Sequence, residues 1–312
     1  MNNNKYVVFK ISDNLKEKFI NYYLKYPARK TPPCAVFQVI NYDTIITLYE
    51  SGKVMFQGLS ADIEASIWIE QERIKNKRII SLDKKDKKKD EKKVFYNTDT
   101  IGSDEVGTGD YFGPIVVTAT FVSKENIAYL KELGVRDSKK ITDTKINEIA
   151  PKIIKVIPYV TYILDNSSYN KLKDEDRNLN KIKSILHNKV LTNLIKKDNY
   201  PYKKIIIDQF VYPKKFYEHI KDCNEQIKNV TFITKAEDQA MSVAAAAVIS
   251  RYIFLKEIKK MSTEIGMDIP LGAGSEVDKF AKTLVEKIGL ENLKKYVKFD
   301  YKNTLKLTNY SK

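Results

Sequence analysis

Hydrophobic and polar positions in the first part of the chain predict a small α+β unit. Five apolar or aromatic residues recur at helical spacing: Leu15, Phe19, Ile20, Tyr23 and Leu24. Three runs rich in β-branched and aromatic residues predict strands: 35–41, 44–49 and 53–58. A second amphipathic helix begins at Asp62 and Glu64, two acids that suit a first helical turn. We therefore expect helix, short antiparallel sheet and helix, with one sheet face packed on the helices and the other free for a partner.

The run DKKDKKKDEKK at 83–93 contains no apolar side chain, so it cannot contribute to a core. Its composition predicts a solvated, basic linker. The linker separates an N-terminal unit, residues 1–82, from a larger C-terminal unit, residues 94–312. Two units agree with the length of the chain, because ordinary domains run to roughly 100–200 residues.

Beyond the linker, the pattern favours an α/β fold. A first strand ends in TDTIGSDEV, and after a glycine-rich turn from Gly107 to Gly113 the apolar run PIVVTATFV returns beside it. Three later runs predict strands: 159–164, 203–210 and 229–234. Helical spacing predicts three main helices: 142–155, 179–197 and a long one from Glu237 to about Ile258. A hairpin followed by alternating helices and strands predicts a mixed sheet flanked by helices.

The formal net charge of +15 suits a polyanionic partner, because lysines and arginines near phosphates release condensed counterions. An AT-rich genome is the alternative explanation, since most of the charge is lysine beside abundant Ile, Asn and Tyr. No run approaches the roughly 20 apolar residues of a membrane span, and the N-terminus lacks the apolar core of a signal peptide. We expect a cytoplasmic monomer with no membrane partner.

Cysteines and histidines argue against a zinc site. Cys34 and Cys223 lie far apart, with no C-x-x-C pair and no clustered histidine. A reducing compartment also disfavours a disulfide between them. His187 falls within a helical pattern and His219 in a polar region, so neither is assigned a catalytic task.

Acidic residues at strand ends are the strongest chemical signal. Asp104 and Glu105 stand where an apolar strand meets a glycine turn, and Asp208 closes the apolar run IIID. Solvated turn acids are the alternative, but an ionised carboxylate beside an apolar strand loses solvation unless something compensates it. The glycines leave backbone amides bare for a ligand. Oxygen ligands without His or Cys point to Mg²⁺ or Mn²⁺.

A fourth acid lies at Glu237 or Asp238, at the expected start of the long helix. An acid in a first helical turn is often only a partner of the helix dipole. Counted along the helix, either acid heads an apolar stripe, so periodicity does not choose between them. The alanine run at 244–247 should let the helix approach the sheet closely.

Six segments together resemble the ribonuclease HII and HIII family. They are SDEVGTGDYFGP at 103–114, RDSKK at 136–140, IIIDQF at 205–210, TKAE at 234–237, AAAAVISR at 244–251 and GAGSEVD at 272–278. The Gly-Thr-Gly after the acidic pair and the N-terminal extension resemble type HIII. The block YESGKVMFQG at 49–58 is similar to that extension, whose fold resembles a TATA-binding-protein repeat.

The resemblance implies an endonuclease that cuts the RNA strand of an RNA/DNA hybrid and leaves 5′-phosphate and 3′-hydroxyl ends. Residues 1–82 would be the substrate-binding domain and 94–312 the ribonuclease H-like catalytic domain. The implied catalytic acids, and the metal ligands among them, are Asp104, Glu105 and Asp208. Asp238 is the preferred fourth acid and Glu237 the alternative. Gly107, Thr108 and Gly109 would sense the 2′-hydroxyl, and Ser138 and Lys139 could hold a phosphate or simply cap a helix.

Lys53, Tyr49 and Phe56 are candidates for phosphate, sugar or base contacts by the N-terminal sheet, although aromatic residues on a small sheet more often belong to its core. Two other functions stay open. A type HII-like enzyme for single embedded ribonucleotides would share the carboxylates. A non-catalytic hybrid-binding module would not be expected to keep Asp104, Glu105 and Asp208 together.

Overall fold

A computed structural model describes residues 6–80, 95–135 and 141–308. The expected linker and the segment with Ser138 and Lys139 lie outside the described residues. The chain divides into two compact units, one comprising Met1–Glu91 with Phe210–Lys214 and the other Lys92–Gln209 with Lys215–Lys312. The short segment Phe210–Lys214 is an addition to the N-terminal unit that sequence pattern did not predict.

The N-terminal unit contains an antiparallel sheet and two helices, as predicted, but the sheet has four strands where three were expected. Its elements are β1 (Tyr6–Lys10), α1 (Asp13–Tyr23), β2 (Ala35–Asn41), β3 (Thr44–Tyr49), β4 (Lys53–Gly58) and α2 (Ala61–Asn76). The strand order is β1-β4-β3-β2. Strand β1 is additional to the prediction: it pairs with β4, burying Val7 and Phe9 while Tyr6 and Val8 stay exposed.

The covered face of this sheet holds an aromatic core. Phe56 is fully buried and packs edge to face on Phe19, whose ring also meets Trp68. Phe56 therefore cannot stack on a nucleic acid, and this part of the predicted docking surface is wrong. Side chains alternate along a strand, so the exposed Lys53 lies on the opposite face of β4. Tyr49 is half-buried.

Glu64, expected only to favour the start of α2, is a buried hydrogen-bonding centre. It accepts hydrogen bonds from the hydroxyl of Tyr23 at 2.5 Å and from that of Tyr212, a residue of the same unit, at 2.6 Å. The Asn41 side-chain amide donates to it at 2.5 Å. A buried carboxylate is tolerated when donors surround it in this way.

The larger sheet is mixed, as predicted. Its strands are β5 (Thr100–Val106), β6 (Ile115–Val122), β7 (Tyr159–Leu164), β8 (Lys204–Asp208) and β9 (Val230–Ile233). The strand order is β7-β6-β5-β8-β9, with β5, β8 and β9 parallel to each other. Helices that follow along the chain are α3 (Asn126–Glu132), α4 (Asp143–Ile154), α5 (Asn166–Asn170), α6 (Leu179–Lys197), α7 (Pro213–His219), α8 (Met241–Ile265), α9 (Ser275–Ile288), α10 (Leu290–Leu293) and α11 (Lys302–Thr308).

Helix α8 packs directly on the centre of this sheet. A side chain at Gly102 of β5 would come within 2.6 Å of the Ser242 hydroxyl oxygen, so the glycine permits the close approach that the alanine run predicts. The predicted start of this helix at Glu237 is wrong. A 3-10 turn, Ala236–Asp238, precedes the helix, and Lys235 before that turn has a left-handed backbone with φ of 56°.

Across the described ranges, no helix combines the length and the apolar surface needed to cross a membrane.

Candidate active site

Two parallel strands bring the predicted acids together. Ser103 of β5 pairs with Ile207 of β8, so the following residues, Asp104 and Asp208, lie at the same edge of the sheet. Both border a cleft of about 440 Å³. Its polar lining comprises Asp104, Glu105, Asp208, Glu237, Asp143 and Arg251. Residues distant in the sequence thus form one acidic site because parallel strands end on the same side.

The fourth acid in this cleft is Glu237. Its side chain is only 7% exposed and lines the cleft, whereas Asp238 is exposed and is not among the lining residues. The sequence-based preference for Asp238 therefore has no support in the geometry. The comparison of helical stripes fails because both residues lie in the 3-10 turn before α8.

Burial and neighbouring carboxylates shift the pKa values of Asp104 and Asp208 in the same direction. Burial raises the pKa of Asp104 well above its usual range, and the charges of Glu105, Asp208 and Glu237 raise it further. The Glu105 amide donates to Asp104 Oδ1 at 2.8 Å and offsets part of this effect. Burial also raises the pKa of Asp208, although the Ala236 amide donates to it at 3.2 Å. A positive charge in the cleft would relieve this repulsion.

Glu105 is shifted in the opposite direction because helix α6 supplies it with two partners. Successive residues of a strand point to opposite faces, and Glu105 meets the Lys183 ammonium at 2.6 Å and His187 Nε2 at 2.9 Å. Burial raises the pKa of Glu105, but the His187 hydrogen bond and the Lys183 charge outweigh burial and hold it well below its usual range. Glu105 is therefore the ionised member of the acidic pair.

His187 has a positional role that the sequence prediction missed. It is 1% exposed, and its Nδ1 lies 2.7 Å from the Ser103 hydroxyl. An ionised carboxylate can only accept, so Nε2 of His187 carries the proton donated to Glu105. Lys183 and His187 are one helical turn apart and share a face of α6, a spacing visible in the sequence. The sequence does not show that this face of α6 contacts Glu105, because that contact is tertiary.

The donor set fits a hard divalent cation, since the acids facing the cleft offer only oxygen. In the three described ranges of the chain, no three histidine, cysteine or acidic side chains converge closely enough to form a ready cation site. Lys183 and His187 engage the two oxygens of Glu105. Asp104 and Asp208 would hold such a cation, whose charge would offset the repulsion among the carboxylates.

The two glycines of Gly-Thr-Gly serve different purposes. Gly107 has a φ of 97°, and a Cβ there would lie 2.1 Å from the Pro114 carbonyl oxygen, so the turn itself requires glycine. Around Gly109 the described residues leave a Cβ free, with no atom within 4 Å, and its φ is not positive. The described fold therefore does not require glycine at 109.

Arg251 adds a cation to the acidic cleft. Its guanidinium forms two hydrogen bonds of 2.9 Å with the two carboxylate oxygens of Asp143, the first residue of α4. A two-pronged pair of this kind fixes the guanidinium plane at the side of the cleft. Arg251 belongs to the segment AAAAVISR, and the sequence alone predicts no role for it.

Comparison with known proteins agrees with this geometry. The ribonuclease HII family model matches residues 101–304, and a model for a domain of unknown function matches residues 6–79. Ribonuclease HIII of Bacillus mycoides is 40% identical over 310 residues, covering 96% of each chain. Ribonuclease HIII of Bacillus anthracis is 42% identical over 281 residues, covering 89% of each chain.

Solved structures give the same relationship. Bst-RNase HIII in complex with Mn²⁺ is 35% identical, with a TM-score of 0.69 and 99% of both chains covered. Aquifex aeolicus RNase H3 shares the fold at 23% identity, with a TM-score of 0.53, 94% of this chain and 99% of that chain covered. The matched family model and the two Bacillus relatives show that this chain belongs to the ribonuclease HIII proteins of the ribonuclease HII family.

Proposed function

We propose that this protein hydrolyses the RNA strand of RNA/DNA hybrids by a two-metal carboxylate mechanism. The observation that carries the proposal is the meeting of Asp104, Glu105, Asp208 and Glu237 at one cleft, beside a glycine loop that is open at Gly109. Its relatives are named ribonuclease HIII, and one related structure is a complex with Mn²⁺. A divalent cation, Mg²⁺ or Mn²⁺, is the cofactor that oxygen ligands favour.

Each acid has a role in this proposal. Asp104, Glu105 and Asp208 would hold the metals, and Glu237 is the fourth acid. Bound metal ions supply an activated water and stabilise the leaving 3′-oxygen. His187 and Lys183 keep Glu105 ionised and fix its direction. The products carry 5′-phosphate and 3′-hydroxyl ends.

Specificity for RNA depends on sensing the 2′-hydroxyl, a group that both donates and accepts hydrogen bonds. We assign this task to the backbone of Gly107, Thr108 and Gly109, with Gly109 as the point of closest approach. The open face of the N-terminal sheet, with Lys53 and Tyr49, is the proposed docking surface for the hybrid. Ser138 and Lys139 stay predictions from the sequence as phosphate contacts, as does a cytoplasmic monomer.

Incubation of the protein with an end-labelled hybrid in Mg²⁺, Mn²⁺ or EDTA tests the proposal. We expect cleavage of the RNA strand with either metal and none in EDTA. Binding of the hybrid without cleavage under all three conditions would instead identify a binding module. A duplex with one embedded ribonucleotide, compared with one carrying four, distinguishes a type HII-like preference, because only a type HII-like enzyme should favour the single ribonucleotide.

A further inference from the structure

Lys298 is a fully buried cation outside the acidic cleft. Its side chain is 0% exposed, and its ammonium donates to the carbonyl oxygens of Asp110 at 2.7 Å and Gly113 at 2.6 Å. Burial lowers the pKa of Lys298 to about 7, although the charges of Asp110 and Asp300 oppose this shift. Burying a lysine is costly, so a structure that buries one depends on the bonds that the ammonium makes.

Tyr301 makes the matching contact on the other side of Gly109. Its hydroxyl donates to the Thr108 carbonyl at 2.8 Å, and its ring lies 5.6 Å from the Lys298 ammonium. Thr108 and Asp110 directly precede and follow Gly109 in the chain. Two side chains from residues 298–301, here called the C-terminal segment, therefore hold the carbonyls on both sides of Gly109.

These contacts have a directional consequence. In a trans peptide, the C=O and N–H bonds point in opposite directions within one plane. The Tyr301 hydrogen bond to the Thr108 carbonyl consequently directs the Gly109 N–H away from Tyr301. The Lys298 hydrogen bond to the Asp110 carbonyl holds the following peptide, between Asp110 and Tyr111. The peptide between Gly109 and Asp110 therefore lies between two held peptides, which limits its rotation.

Backbone bonds already fix the other end of the loop. The Gly113 amide donates to the Tyr296 carbonyl at 2.9 Å, and the Lys298 amide donates to the Tyr111 carbonyl at 3.0 Å. Around Thr108 and Asp110, the contacts with the C-terminal segment come from side chains instead. Substitution of those side chains can therefore loosen the Gly109 end while the Gly113 end keeps its backbone attachments.

We propose that Lys298 and Tyr301 are positioning residues that hold the Gly109 backbone in the orientation that distinguishes ribose from deoxyribose. This inference rests on the proposed function, since it concerns how that site recognises the RNA strand. Neither residue touches the acidic cleft, whose lining belongs to other parts of the chain. Their effect should therefore fall on substrate discrimination more than on metal binding.

The test measures a discrimination ratio with full-length protein. The rate on an RNA/DNA hybrid is divided by the rate on the same duplex carrying one 2′-deoxynucleotide on the 5′ side of the mapped cut. We expect Tyr301→Phe and Lys298→Met each to lower this ratio roughly three- to tenfold, the value of one hydrogen bond. Tyr169→Phe is the matched control, because it removes a buried phenol's bond to Asp300 and leaves the loop carbonyls alone.

A smaller fraction of folded protein would lower the cleavage rates of both substrates equally, so the ratio depends only on the folded molecules. An unchanged ratio in both variants overturns the inference. Should Lys298→Met not fold, Tyr301→Phe decides alone, since it removes a single hydroxyl. Should the wild-type protein cut no hybrid, the proposed function fails separately. The inference then depends on binding, where both variants must weaken the preference for hybrid over DNA duplex and Tyr169→Phe must not.

Discussion

The two sheets of this protein present their polar side chains in different ways. In the N-terminal sheet, antiparallel neighbours alternate side chains between a covered face and an open one, and the result is a surface carrying Lys53. In the C-terminal sheet, β5 and β8 run in parallel and end together, and the result is an edge where Asp104 and Asp208 meet. An open face suits docking of an extended partner, whereas a shared edge concentrates charge for chemistry.

At this edge, burial and neighbouring carboxylates disfavour the ionised forms of Asp104 and Asp208 when no cation is bound. Burial and mutual repulsion raise the pKa values of Asp104 and Asp208, while Glu105 is kept ionised by two partners on α6. Groups whose pKa values are pushed apart within one cleft are typical of sites that bind or react. If the edge holds the chemistry and the face holds the partner, substitutions in the two places should separate turnover from affinity.

The largest effect should come from the edge. Asp104→Asn or Asp208→Asn should lower turnover at least about a thousandfold, or ~4 kcal/mol of transition-state stabilisation, because each removes a metal ligand. Hybrid affinity should stay close to wild type, since the docking face is intact. Single-turnover cleavage and equilibrium binding measure the two quantities. Asp222→Asn, at an exposed acid away from the cleft, is the control. Near-normal turnover in Asp104→Asn or Asp208→Asn would remove that residue from the site.

A second comparison sharpens the membership of the edge. Glu237→Gln should lower turnover roughly a hundredfold, or ~2.7 kcal/mol, whereas Asp238→Asn should stay close to wild type. The reason is that Glu237 lines the cleft while Asp238 faces solvent. The same single-turnover assay applies to both variants. The reverse order would show that substrate or metal turns the 3-10 segment and restores the preference for Asp238.

A smaller effect is expected one layer behind the edge. His187→Phe should raise the Mn²⁺ concentration for half-maximal activity roughly 10–100-fold, because the hydrogen bond that orients Glu105 is lost. His187→Gln should recover part of this loss, since its amide can still donate. His219→Phe is the matched control at the other histidine, which contacts Ser184. Equal metal dependence in all three variants would mean that His187 only fills space.

The smallest effect concerns the open face. Lys53→Glu should weaken hybrid binding a few-fold and lower the salt slope by about one or more, because a phosphate contact is lost. Turnover at saturating enzyme should not change. Lys75→Glu, at an exposed position of α2, carries the same charge change as a control. Point variants are preferable to deletion of the N-terminal unit, since Phe210–Lys214 groups with that unit. Equal salt slopes for the two variants would assign the open face to another partner.

Sequence pattern predicted the parts of the site that depend on local order. An acid that closes an apolar run is visible in the sequence, and parallel strands then bring Asp104 and Asp208 to one edge. The small antiparallel sheet follows from its β-branched runs, whereas β1 is defined by its pairing with β4, a contact that the sequence pattern does not contain. Alternation along β4 already places Phe56 and Lys53 on opposite faces, because the two residues lie three apart, so they could not share one docking surface.

Other features depend on tertiary contacts that a pattern does not contain. The 3-10 turn Ala236–Asp238 is separated from α8 by an extended backbone at Ala240, and that break decides between Glu237 and Asp238. Lys298 is one lysine among many in a basic chain, and its burial follows from the loop carbonyls that it meets. His187 was set aside because its partner, Glu105, lies far from it in sequence.

Direct titration with Mn²⁺ tests most closely the claim that parallel strand ends assemble a metal site. Calorimetry on the wild-type protein without nucleic acid should show saturable Mn²⁺ binding that Asp208→Asn weakens strongly and Asp222→Asn leaves unchanged. Binding should also weaken as the pH falls, because burial and neighbouring charges raise the pKa values of Asp104 and Asp208 and protons then compete with the metal. Equal Mn²⁺ affinity in the wild-type protein and Asp208→Asn would contradict the account.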